Sequence, residues 1–547
     1  MTETATSAPP PSTGSDPRAR SSSRAALVVF VVLVVGAAPL VLVDLGRSRW
    51  FILDEWDFLT HRRVGDVSGL FAPHNEHWST LPILAYRAMF ALVGLHHYWP
   101  YQAMVVALHL VAVVLLRVVM RRAGVGSWTA TVVAALLILF GAGQENIVWA
   151  FQIGFVGSLV FGLVQLILTD HDGEWGRRDW LGLVAGAAAL MCSGVGVAMV
   201  VVVGISVWCR RGWRAAGGQV LPLMVLYLAW WASEQRPGST TPPHVGLLSI
   251  VGHVVRWDLS GVWGAFEALG QSSIVAAALI VVLVLGLGLS WRPRGRSAVR
   301  GAGAPVLGLL CGALVLLTIT GWGRWYYPGD SSDASRYVYL VVAMLLPAFG
   351  LAVDAIGRRW RFALPVALVL MVLGVPGNVG EFGNGRFVGP AFDAHQQLLE
   401  AIADSPLARH TPPVVIPSPR NDGLLTVGWL VAAKAAGKLS SPGRVPPAVA
   451  AEVPVALGLT EGAIRAPALT HCQKALAVAL NPQPGTFVRI SRGLVRIAGY
   501  DRALGIWSDP LWFNTDAFFG PVFTVRNSGL HLRIRSGVHG QEVTVCD

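Results

Sequence analysis

Asp54, Glu55 and Asp57 lie shortly beyond a long apolar run, Ala25 to Val43, and twenty residues after Asp54 comes His74-Asn75-Glu76-His77-Trp78. A positioned carboxylate can take a proton from a hydroxyl, a step that contributes about 10²–10⁴-fold as general base catalysis. Imidazole and carboxylate together suit a divalent metal ion such as zinc or manganese, which makes His74, Glu76 and His77 a candidate ligand set. Their spacing matches no fixed zinc motif such as HExxH, and a hydrogen-bonded loop is the competing reading. Exposed loops are commonly polar, so any one of these residues has an ordinary explanation. Their concentration in a chain that elsewhere avoids charge is what points to chemistry.

The elements that must position them are membrane helices. The 547-residue chain is 54% hydrophobic and 13% charged, with mean hydropathy +0.56. A soluble protein has about 25% charged residues, so this composition excludes a cytosolic globular enzyme, and it is too apolar for a disordered chain. The net charge of +11 is read as cytoplasmic loop charge, with no nucleic acid as partner. Residues 1–24, rich in Ser, Thr, Pro and Arg, read as a disordered cytoplasmic tail without the h-region of a signal peptide. Apolar runs at 25–43, 98–120, 128–141, 151–169, 180–192, 194–209, 219–232, 273–291, 304–321, 337–356 and 361–376 predict an all-α polytopic membrane domain of about eleven spans over 25–376. The run 180–209 is read as two short helices broken at Cys192-Ser193-Gly194. With that break the clusters Arg18/Arg20/Arg24, Arg121/Arg122, Arg177/Arg178, Arg210/Arg211/Arg214, Arg292/Arg294/Arg296/Arg300 and Arg358/Arg359/Arg361 fall on one side, as the positive-inside rule expects. The N-terminus is then cytoplasmic, and loop 47–97, segment 142–150, loop 233–272, loop 322–336 and the C-terminal region lie outside.

An acidic pair just past the first span, a His-containing segment about twenty residues on and an amphipathic stretch, Leu81 to Leu95, together resemble the integral-membrane glycosyltransferases of the GT-C superfamily. Protein O-mannosyltransferases and the lipid A aminoarabinose transferase share this layout. RRDWLGLVAGAAALMCSGVGVAMVVVVGISVWCRRGWR is similar to their short helical hairpin before a basic turn, and SRYVYLVVAMLLPAFGLA is similar to the start of a late helix. HNEHW stands where those families have HPPL or KPPL. The resemblance implies transfer of a sugar from a polyprenyl-phosphate donor to a cell-envelope glycan, lipid or protein at the outer face of the cell membrane. It makes Asp54 the general base, with Glu55 close behind. Arg336, beside Tyr337 at the mouth of a span, is the candidate for the leaving phosphate, because its fork of donors grips phosphate. Its plain alternative is snorkelling at a helix end. Glu145 could join a metal site, or hydrogen-bond a sugar together with Asn146 and Gln152, against a polar cap on two helix ends. Trp56, Trp78 and Trp149 are candidates for stacking on sugar rings, although interfacial Trp is common in membrane proteins.

Residues 377–547 lose the long apolar runs and read as an extracytoplasmic α+β domain. HQQLLEAIADSPLA and LLTVGWLVAAKAAGKL are helix-like; VVIPSP, FVRIS, LVRIAG, PVFTVR, LHLRIR and EVTVCD are strand-like. Cys472 and Cys546 stand alone there and are expected to form a disulfide in an oxidising compartment. Cys192, Cys209 and Cys311 read as packing residues, as does His109 in mid-span. The rival readings are a polytopic transporter or lipid flippase, which would place ionisable groups at mid-membrane, and a non-catalytic envelope-assembly protein.

Overall fold

The computed structural model describes residues 17–45, 47, 49–62, 67–234, 245–291, 301–327, 330–384, 390–418, 421–461, 469, 471–501, 505–514, 522–526 and 530–546. Eight helices among them are long and apolar enough to cross a membrane: Ser21–Leu45, Trp99–Arg122, Ala150–Thr169, Trp213–Ser233, Ser273–Ser290, Ala304–Arg324, Ser335–Arg359 and Ala363–Gly383. In hydrocarbon every backbone donor must be satisfied within its own segment, so such runs fold as helices. Ser335–Arg359 is the central one, with 89% of its apolar window buried. Small residues let its neighbours approach: a Cβ on Gly286 would meet the Ala352 side chain at 2.4 Å.

The other three expected spans are helices of different length. Ser127–Ile138 has 12 residues, Arg177–Leu190 has 14 and Val195–Arg211 has 17. At 1.5 Å per residue they reach about 18, 21 and 26 Å, short of the roughly 30 Å hydrocarbon core. The break between the last two lies at residues 191–194, where it was expected. Two boundaries move. The first helix starts at Pro17, inside the segment expected to be a tail, and the last apolar helix runs to Gly383, beyond residue 376. Arg292, Arg294, Arg296 and Arg300 lie outside the described residues.

The C-terminal region is α+β. Helices Pro390–Asp404, Val427–Ala435 and Pro447–Gly458 precede or flank β1 (Leu459–Glu461), β2 (Cys472–Ala475), β3 (Val478–Leu480), β4 (Phe487–Ile490), β5 (Leu494–Asp501), β6 (Ile506–Trp507), β7 (Leu511–Asn514), β8 (Val522–Val525), β9 (Leu532–Ser536) and β10 (Val543–Cys546). One antiparallel sheet has the order β1-β8-β4-β10-β2; the other has β3-β9-β5-β6, with β7 also on β5. Alternation in FVRI and VTVC turns Val488, Ile490, Val543 and Val545 inward. Of VVIPSP, residues 414–418 are not a strand: Pro417 withholds a ladder donor, residues 413–414 form a turn, and Pro419 lies outside the described residues. A disulfide joins Cys472 to Cys546, directly opposite each other on β2 and β10. One hydrophobic cluster unites Trp50, Phe51, Trp56 and Phe58 of the first loop with Leu398, Leu430, Val455, Ile497 and Ile534. The loop bearing Asp54 is therefore packed into the C-terminal region's core.

Candidate functional site

A cavity of about 490 Å³ opens where the first loop, the 191–194 turn and helices Ala304–Arg324 and Ser335–Arg359 meet. Its polar end carries Asp54, His74, Asn75, Glu76, His77, Glu145, Gln152, Arg324 and Arg336; Leu316, Ile319, Leu340 and Val197 line the apolar part.

Local backbone geometry delivers the imidazoles. His74 and His77 exchange both backbone hydrogen bonds, at 2.9 and 2.8 Å, closing a two-residue hairpin with Asn75 at φ 44° and Glu76 at φ 73°. Positive φ at both central residues is the pattern of a type I′ turn, and paired hairpin positions place their side chains on one face. Asn tolerates this region; Glu does so at a cost of order 1–3 kcal/mol. Leu53, next to Asp54, is also left-handed at φ 52°, and its N–H donates to the Asn421 carbonyl at 2.6 Å. Three of the four such non-glycine residues in the described structure border this cavity. Strain of this kind collects at functional sites.

The two imidazoles present opposite polarity. His74 Nδ1 lies 2.6 Å from Asp57 Oδ2, and Asn75 Nδ2 is 3.0 Å from His74 Nε2. Nδ1–H therefore donates to Asp57, and Nε2 accepts from the Asn75 amide, with Asp54 Oδ1 3.7 Å away. Burial would raise Asp57, but hydrogen bonds from His74 and Arg62 outweigh it and hold the carboxyl down at about 2. His77 Nδ1 accepts from the Gly194 N–H at 3.3 Å, so Nε2 carries its proton. Burial, with Arg324, His74 and Arg336 nearby, pushes His77 down to about 3, which keeps it neutral. A Cβ on Gly194 would stand 2.9 Å from His77 Nδ1, so glycine is what allows this approach.

Asp54 is the exposed carboxylate of its pair, with 39% of its side chain accessible, and Asn75 Nδ2 reaches its Oδ1 at 3.4 Å. Glu55 is a correction to the sequence reading. It is fully buried and accepts from Tyr86 Oη at 2.6 Å, Tyr98 Oη at 3.0 Å and Ile52 N at 3.0 Å. Burial pushes it up to about 7, opposed by these hydrogen bonds. Neighbours on a tight turn diverge, and only Asp54 reaches the cavity. Trp78 also departs: it stacks on Trp230 at 5.2 Å and its Nε1 donates to Thr80 Oγ1. Trp56 is fully buried and donates to Asp422 Oδ1 at 2.5 Å. Trp149 does line the cavity. Asn146 lies behind the wall, donating to the Arg336 carbonyl at 2.8 Å. Glu145, Gln152 and Tyr337 border the space directly.

Arg336 is held by Asp330 at 2.6 Å and Glu145 at 3.7 Å. Arg324, which the sequence reading missed, joins it from the preceding helix, 3.5 Å from Glu76. Its position at a helix end was visible in the sequence, but its approach to Glu76, 248 residues away, was not. Asp57 was noticed but given no role. The metal expectation fares differently: among the described residues no group of three His, Cys, Asp or Glu side chains is arranged to hold a metal ion. His74 is turned to Asp57 and His77 to Gly194, so His74, Glu76 and His77 do not converge. His109 has partners that its mid-helix position concealed, Tyr339 Oη at 2.8 Å and the Ile138 carbonyl at 3.2 Å. No family model matches the chain, and no curated protein matches it in sequence.

Proposed function

We propose that this cavity is the active site of a membrane glycosyltransferase of the GT-C kind, moving a sugar from a polyprenyl-phosphate donor to a cell-envelope acceptor. The observation that carries the reading is the composition of one cavity: an accessible carboxylate, Asp54, two guanidinium groups, Arg324 and Arg336, and an apolar part formed by the helices. A phosphate attached to a long hydrocarbon chain needs cations at its head and apolar wall at its tail. In this reaction Asp54 takes the acceptor hydroxyl proton as the oxygen bonds to C1 of the sugar. The C1–O bond to phosphate breaks, and its electron pair leaves with the lipid phosphate. Arg324 and Arg336 stabilise that developing charge. His74 Nε2, fixed as an acceptor by Asp57, supports the basic side of the step, and neutral His77 offers a donor to a sugar hydroxyl.

The reading includes eleven spans, a cytoplasmic N-terminus and an outside C-terminal domain, which put the cavity at the outer membrane face. The supporting geometry is polar: Arg122 and Arg178 both donate to the Ile167 carbonyl, Arg210 pairs with Asp170 and Asp172, and Arg211 pairs with Asp179. These basic clusters share one end of the bundle. The test is transfer from a radiolabelled polyprenyl-phosphate sugar in membranes containing the protein. Asp54→Asn keeps the shape and removes the base, and transfer should fall by about 10²–10⁴-fold at unchanged expression. Wild-type turnover in Asp54→Asn removes the assignment.

A further inference from the structure

The second sheet of the C-terminal region has one face that its own core does not explain. Val495 and Ile497 of β5 and Leu532 and Ile534 of β9 point inward, where a Cβ on Gly499 would meet Val455 of the Pro447–Gly458 helix at 2.2 Å. The residues between them point the other way. Arg496 lies directly opposite Arg535 on β9 and opposite Trp512 on β7. Arg533 is two residues from Arg535 and shares its face, as do Tyr500 and its partner Trp507. The face is therefore a ladder of three arginines and three aromatic rings, fixed by strand register.

Two features set it apart from an ordinary polar surface. Like charges directly opposite across a sheet are destabilising, yet Arg496 faces Arg535. Among the described residues none of the three forms an ion pair; an ion pair of the strand region, Lys474 with Glu542 at 3.4 Å, sits on the other sheet. The guanidinium groups are also pre-organised. Arg533 lies over Trp507 at 3.8 Å and Arg496 over Trp512 at 5.3 Å, and Arg496 Nε donates to the Ser536 carbonyl at 3.3 Å. A guanidinium stacked on an indole has less freedom to lose when it binds an anion.

We propose that this face binds an anionic glycan, a sugar polymer carrying carboxylate, phosphate or sulfate groups. Charge complementarity supplies the first argument. Spacing supplies the second: opposed residues stand about 5 Å apart and residues two along a strand about 6.7 Å, so the three cations meet successive charges of a chain better than one small anion. The aromatic edges between them, Tyr500, Trp507 and Trp512, offer apolar surface to ring faces. A membrane surface is the poorer fit, because Trp507 and Trp512 are half-buried beside their arginines and present no protruding apolar wedge. This inference is independent of the reading of the cavity.

The test uses the full chain in nanodiscs of zwitterionic lipid, with dextran sulfate, neutral dextran of matched length and phosphatidylglycerol vesicles as probes. Dextran sulfate should bind and neutral dextran should not. The triple variant Arg496→Gln/Arg533→Gln/Arg535→Gln should bind dextran sulfate at least about tenfold more weakly, with a flatter salt dependence. Arg535→Gln alone changes an exposed side chain, so it leaves the fold intact and should show a smaller loss. Arg489→Gln, on β4 of the other sheet, should bind as wild type. Undiminished binding by the triple variant, an equal loss in Arg489→Gln, comparable binding to neutral dextran, or stronger binding to the vesicles than to dextran sulfate would each overturn the proposal.

Discussion

Asp54 and Glu55 have the same chemistry and adjacent positions, yet one borders a cavity and the other is sealed beneath it. Glu55→Gln separates these roles. Its amide cannot accept all of the bonds from Tyr86, Tyr98 and Ile52 that the carboxylate accepts, so the unfolding temperature should fall while sugar transfer stays within a few-fold of wild type. A second consequence concerns pH. The Glu55 carboxyl is raised from 4.5 to about 7 by burial, so the folded state holds a proton that the unfolded chain releases earlier. Its contribution to stability is complete below about 4.5 and is lost as pH rises through 7. Unfolding measured from pH 5 to 8 should show declining stability in the wild type and a flatter profile in Glu55→Gln; identical slopes would contradict the burial argument. The sequence made Asp54, His74 and Arg336 legible because charge is conspicuous in a chain with so little of it. It could not show which member of the acidic pair faces the cavity, because that depends on a left-handed Leu53 held from residue 421. Nor could it show that His74 turns to Asp57 rather than toward a metal, since imidazole serves both purposes equally well.

The first loop and the C-terminal region are separate in sequence and joined in space. Leu53 N–H reaches the Asn421 carbonyl, Trp56 reaches Asp422, and His395 Nε2 lies 2.8 Å from the other oxygen of Asp422. The segment around Asn421 and Asp422 thus helps hold the strained backbone that aims Asp54. Trp56→Phe removes one donor from a fully buried carboxylate, which should cost about 1–3 kcal/mol. If the clamp positions the base, kcat should fall more than KM rises, whereas a fall in thermal stability with unchanged kcat would leave only a packing role. The disulfide belongs to the same scale. Closing a 74-residue separation restricts the unfolded chain by about 4 kcal/mol on loop-entropy grounds, so Cys472→Ala should make the C-terminal region the first to yield to protease on heating. Equal protease resistance would show that the sheet holds without it. Helix positions were legible from apolar runs, and the strands β4, β5, β8, β9 and β10 from alternation. VVIPSP misled because apolar β-branched residues outweighed Pro417, which breaks the ladder. β6 is two residues long, too short to show a period, and β7, Leu511-Trp512-Phe513-Asn514, is apolar at three successive positions, so it shows no alternation.

At the scale of the whole molecule the charges are sorted to opposite ends. The cavity gathers Asp54, Glu76 and Glu145 with Arg324 and Arg336. At the other end Arg121 donates to the Val125 carbonyl, Asp354 receives the Gly126 N–H and Arg358, and the 169–179 turn receives Arg210 and Arg211. A chain inserted under the positive-inside rule keeps such clusters in the cytoplasm. The proposed count of eleven turns on the short helices Arg177–Leu190 and Val195–Arg211. Their break at 191–194 returns the chain to the end it left, where Arg178 donates to the Ile167 carbonyl and Arg211 pairs with Asp179. Had 180–209 been one continuous helix, Arg210 and Arg211 would stand at the cavity end, and every later segment would be inverted. On the proposed reading of eleven crossings, the sequence after Arg300 would be inside and that after Asp547 outside, although three of the helices are too short to span ordinary hydrocarbon alone. Those three pack against longer helices, where membrane thinning and protein burial relax the length requirement. Reporter fusions after Arg300 and after Asp547 should read cytoplasm and exterior. The same side for both would remove the odd number of crossings and, with it, the placement of the cavity at the outer face.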